Sequence, residues 1–157
     1  AGALFFALPA AMAVLAPLVG LLSDRVGPRR VMRLGLGILA GSCLALGWFT
    51  QSTAHSLVLL CVLLVLVGVG VALVQTPAAT GATRSPAGQP GAALGLFNMV
   101  RFGGSAFGAA WVAVLYPRGS LFLLFGGSAL LLAAALIATM LGPDPEPVHP
   151  YAQTEPV

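Results

Sequence analysis

A chain of 157 residues has the length of one soluble domain, but 59% of this one is hydrophobic, 7% is charged and its mean hydropathy is +1.00. That leaves too little polar surface to cover a water-exposed globule, so the natural solvent is lipid. The net charge of +3 comes from arginines set between apolar runs with no aromatic-basic stripe, which excludes nucleic acid as the partner.

A segment that crosses lipid needs about 20 mostly apolar residues. It must also satisfy its own backbone, which favours helices. The sequence predicts an all-α membrane protein with five such helices in one bundle over residues 1–142. The first runs from about residue 3 to 22, and Pro9 and Pro17 are expected to kink it. The chain starts at Ala1-Gly2-Ala3 inside this apolar run, without a Met or a basic leader, and so reads as part of a longer polypeptide.

Residues 23–33 follow as a connector. Asp24, Arg25, Arg29, Arg30 and Arg33 place five of the eleven charges there. The second span is 34–49 and holds Cys43; the third is 57–76 and holds Cys61. Both cysteines read as small packing residues. Between these spans "TQSTAHS" carries His55, a solvated loop histidine. Residues 77–90 form the next connector, with Arg84. The fourth span is 91–116, "YPRGS" carries Arg118, and the fifth span is 120–141. The tail, "GPDPEPVHPYAQTEPV", is Pro-rich, acidic and aperiodic, so 143–157 is expected to be disordered and His149 and Tyr151 solvated.

Arginine is concentrated in 23–33 and 77–90, which marks those connectors and the tail as cytoplasmic and the membrane as the cell (inner) membrane. Trp48, Trp111 and Tyr116 fall near the opposite ends of their spans, where amphipathic rings favour the headgroup level. The two signals agree.

Three features carry candidate function. Gly20 and Asp24 lie four apart on one helical face, and glycine there permits close approach of a neighbouring helix. The Asp24 carboxylate is then suited to accept hydrogen bonds from another helix N-terminus, as a latch. The alternative is a plain positive-inside hairpin with an incidental acid. The fourth span places Gly91, Gly95, Asn98, Phe102 and Ser105 along one face, with Gly104 and Gly108 as a small-xxx-small pair for tight packing. Arg101 is the one charge well inside a span, about 15 Å along the helix from Gly91. Such an Arg costs roughly 2.5–3.5 kcal/mol unpartnered at mid-depth. It either pairs with an anionic group in the cavity or the remaining protein, or snorkels to lipid phosphate. Gln75 and Thr76, just before Pro77, either touch cargo or cap a span that the proline ends.

"GLLSDRVGPRR" resembles the signature loop of the major facilitator superfamily, G-x-x-x-D-R-x-G-R/K-R/K. Gly20, Asp24, Arg25, Gly27, Arg29 and Arg30 fit, and Pro28 stands where many members have a cation. "GLFNMVRFGGSAFGAA" resembles the penultimate helix of the superfamily's drug:proton antiporters, through Gly95, Asn98, Arg101, Gly104 and Gly108. The resemblance implies five helices of an incomplete six-helix bundle, the C-terminal half of a carrier whose N-terminal half would be its partner. It implies proton-coupled efflux of drugs or other hydrophobic small molecules by rocking two bundles. It also places the third span against the cavity, where Gln75 would meet cargo. No carboxylate lies inside a span, so a coupling acid is expected in the remaining half. An importer of sugars or organic anions, or a non-transporting scaffold, is the alternative. The sequence has no metal-ligand cluster, no nucleophile with His and acid nearby and no phosphate-cradling loop, so neither an enzyme nor a cofactor is expected.

Overall fold

The computed structural model describes the backbone of residues 2–52, 56–83 and 90–141. All of its regular structure in those residues is helical. The order is α1 (Gly2–Val26), α2 (Pro28–Phe49), α3 (Leu57–Thr83), α4 (Pro90–Leu115) and α5 (Leu121–Leu141), with a single 3-10 turn at Tyr116–Arg118 before α5. Among the described residues, four stretches are long and apolar enough to cross a membrane: Pro28–Phe49, Leu57–Thr83, Gly91–Arg118 and Leu121–Leu141. The expectations for His55, Arg84 and the tail from 143 onward fall outside the described residues.

The helices run on past the apolar segments. The 23–33 connector is helical except at Gly27, which holds φ +98°. Only glycine adopts that backbone without strain. Gly27 N–H closes α1 on Ser23 O at 3.0 Å, and its own carbonyl accepts from Val31 N–H at 3.3 Å to open α2. Pro28 at the first helical position suits this start, since its missing N–H would have had no partner there. The arginines therefore sit on helix ends rather than on a free loop. Likewise α1 continues unbroken past Pro9 and Pro17.

Pro77 does not end α3. The helix continues to Thr83 with Pro77 buried inside it. A proline ring removes one backbone hydrogen bond, here to Leu73 O. Membrane helices accept this where neighbouring groups meet the freed backbone.

The core lies among α1, α2 and α3. Val19, Val31, Ala72 and Leu73 are buried together, with Met12, Leu15, Ile38 and Val69 packed on them. The α2–α3 seam is backbone-close. A Cβ on Gly35 would lie 2.7 Å from Leu73 Cβ and 3.0 Å from Gly70 O, and one on Gly70 would lie 2.6 Å from Leu39 Cγ. Small residues allow such contact.

Helix α5 runs antiparallel to α2 and is pinned at both ends. At the arginine end, the Arg33 guanidinium donates to Thr139 O at 2.7 Å. At the other end Gly47 faces Phe125, whose Cβ would lie 3.3 Å from an added Cβ. Helix α4 joins α5 through Trp111. Its Nε1–H donates to Leu124 O at 3.3 Å and its ring lies over Gly127. It also stacks on Phe107, with centroids 6.4 Å apart. Trp111 is thus a packing residue as well as one near a span end.

Candidate functional site: the α1–α3 groove and the glycine corner

At the corner two helix termini meet across one residue. Asp24 and Arg25 occupy the last turn of α1, and Arg29 and Arg30 the first turn of α2. The macrodipole of α1 favours Arg25 at its C-terminal end and disfavours Asp24, whereas the N-terminus of α2, a few residues on, favours an anion. No side chain caps α2, because its N-cap is Gly27. The Asp24 carboxylate is exposed.

Gly20 and Asp24 do share a face, as their spacing predicts. They line a cavity of about 190 Å³ with Ser23, Pro28, Pro77, Thr80 and Gly81. Among the described residues no side chain fills the space over Gly20: an added Cβ would meet nothing within 4 Å. Within the described residues the glycine opens a hollow.

A second cavity of about 330 Å³ lies along the same α1–α3 seam, lined by Met12, Ala16, Ala72, Gln75, Thr76, Ala79 and Thr80. Thr80 lines both, so the two hollows form one groove. Apolar side chains supply most of the second hollow, with one amide and two hydroxyls to orient a guest. Thr80 Oγ1 donates back to Thr76 O at 3.0 Å. Asp24 and Gln75, fifty-one positions apart in sequence, thereby fall on one surface.

The fourth-span residues lie elsewhere. Gly95, Arg101 and Gly104 are exposed and Asn98 and Gly108 half-buried. A Cβ at Gly95, Gly104 or Gly108 would meet nothing within 4 Å, so among the described residues no helix packs on these glycines. Arg101 is eleven residues into α4, about 16 Å along its axis. Its guanidinium carbon stands 5.8 Å from the Phe102 ring centroid, and its carbonyl accepts from Ser105 Oγ at 3.1 Å. Asn98 and Arg101 share no hydrogen bond in the structure.

Two contributors were not picked out from the sequence. Thr80 lies beyond Pro77, where a proline would end a water-exposed helix; its spacing of four from Thr76 is the signal that places both on one face. Arg33 stands next to the charged corner in sequence, yet it reaches across to α5. Its Nε is buried without a hydrogen-bond partner.

A family model described as Major Facilitator Superfamily matches residues 1–156. The chain belongs to the Major Facilitator Superfamily. No curated protein and no solved structure matches it. Membership in the Major Facilitator Superfamily makes this a multi-pass membrane protein of a transporter family and not an enzyme. The helical fold agrees.

Proposed function

We propose that the chain is the C-terminal bundle of a secondary active carrier that exports hydrophobic small molecules from the cell in exchange for protons. The observation that carries this reading is the α1–α3 groove: apolar walls from Met12, Ala16, Ala72 and Ala79, with Gln75, Thr76 and Thr80 as its polar groups. A surface of that kind suits a greasy guest oriented by one or two hydrogen bonds better than a sugar that must satisfy many hydroxyls. In this reading the lipid bilayer of the cell membrane surrounds the bundle, with the arginine corner and the tail on the cytoplasmic side. The N-terminal half lies on the open glycine face of α4 and brings the proton-coupling carboxylate. Asp24 closes the cytoplasmic gate by engaging a helix N-terminus of that half, as a latch between the two bundles. Arg29 and Arg30 add positive charge at the corner.

The test is accumulation of lipophilic dyes in efflux-deficient cells carrying the complete carrier. Wild-type cells should exclude dye, and an uncoupler should abolish the exclusion. Asp24→Asn should raise accumulation to near the vector control while the amount of carrier in the membrane stays the same. Dye exclusion that survives the uncoupler removes proton coupling. Wild-type exclusion by Asp24→Asn removes the latch.

One observation favours a second reading. Arg101 is an exposed cation well inside α4, which suits an organic anion as cargo. Competition of dye export by aliphatic carboxylates, lost in Arg101→Gln, would shift the assignment to that class.

A further inference from the structure

Helix α2 buries two of its faces and leaves a third bare. Val31, Gly35, Leu39 and Leu46 are buried, as are Leu36 and Gly47. From position 30 onward the exposed positions are Arg30, Leu34, Gly37, Gly41, Leu44 and Trp48. Their steps of four, three, four, three and four residues keep them on one narrow stripe of a helix with 3.6 residues per turn. From Arg30 to Trp48 the stripe is about 27 Å long, close to the roughly 30 Å of a bilayer's hydrocarbon. It has a cation at one end, an indole that is 76% exposed at the other, and only apolar residues between.

The stripe is not flat. A Cβ on Gly37 or Gly41 would meet nothing within 4 Å, so a shallow trough runs between Leu34 and Leu44. Glycines alone do not say what fills a trough, but the charge at its head does. Arg30 is exposed at the first turn of α2, a turn with no acid and no side-chain cap. Arg25 is exposed across the one-residue corner. Arg33 flanks the stripe, its guanidinium held in place by the 2.7 Å bond to Thr139 O. Among the described residues the one acid, Asp24, lines the α1–α3 groove. Positive side chains at the membrane boundary, over a helix N-terminus and above an apolar furrow, are complementary to a phosphate that carries acyl chains.

We propose that this face of α2 is a binding site for one anionic glycerophospholipid. Its phosphate sits at Arg30, in the positive field of Arg25 and Arg33, and an acyl chain lies in the Gly37–Gly41 trough. The site goes beyond the transport reading and does not depend on the cargo, so either can fail without the other.

The test is native mass spectrometry of the full-length protein, delipidated in detergent and titrated with phosphatidylglycerol, phosphatidylcholine or inorganic phosphate. One phosphatidylglycerol should be retained at least fivefold more tightly than phosphatidylcholine. Arg30→Gln should weaken its binding about fivefold, the effect of one basic side chain near an anionic lipid. Gly37→Leu keeps every charge but fills the trough, and should weaken binding as well. Arg118→Gln, at the opposite end, should bind as wild type. Positions 30 and 37 are exposed, so circular dichroism melts of both variants should match wild type. Equal retention of the two lipids, or wild-type binding by Arg30→Gln, overturns the site. Wild-type binding by Gly37→Leu overturns the trough as the acyl seat. Displacement of phosphatidylglycerol by millimolar inorganic phosphate overturns the lipid assignment in favour of a simple anion site.

Discussion

The α2–α3 seam and the outer face of α4 are both built on glycine, and they use it in opposite ways. At the seam, Gly35 and Gly70 are each within 3.2 Å of the other helix's backbone oxygen once a Cβ is imagined on them. The absent side chains are the reason the helices touch. On α4, Gly95, Gly104 and Gly108 look onto open space, although their spacing in the sequence signals packing just as clearly. Small-residue spacing reports that a helix is able to pack closely; it does not report against what. The first set of glycines acts in holding this bundle together, and the second leaves a surface that a partner is free to use.

Substitutions sharpen that contrast. Gly70→Val should have the largest effect on stability, because its Cβ would lie 2.6 Å from Leu39 Cγ with Gly35 O 3.2 Å away. Overpacking of that kind typically costs about 1–3 kcal/mol, and here should lower the detergent melting temperature sharply and reduce the yield of folded protein. Gly127→Ala comes next. Its Cβ would lie 2.5 Å from Trp111 Cζ2, so the indole must swing away and give up its bond to Leu124 O. A loss of about 1 kcal/mol should accompany a red shift in tryptophan emission. Gly104→Ala should be nearly neutral in the melt, within about 0.5 kcal/mol, since nothing stands within 4 Å. If the other bundle rocks against α4, the same variant should nonetheless slow dye export. A melt lowered as far as that of Gly70→Val would erase the distinction between the two regions.

The five helices were legible as apolar runs, and the resemblance at 20–30 and 95–110 pointed to the family that the whole-chain match then established. What was not legible has physical causes. Hydropathy reports where lipid ends, not where backbone hydrogen bonding ends, so the helical turns at Ser23–Val26 and Arg29–Arg33 looked like a loop. Pro77 looked like a stop because the rule for water-exposed helices does not hold where neighbouring helices can stand in for solvent. The α1–α3 groove joins Asp24 to Gln75 only through a fold, and no spacing in the chain announces it. The same is true of Arg33, whose partner at Thr139 is 106 positions away.

Gly27 has a mechanical consequence. With one non-helical residue between α1 and α2, the joint has almost no length to spare. An elbow this short keeps Asp24 and Arg25 beside Arg29 and Arg30 whatever the tilt between the two rods.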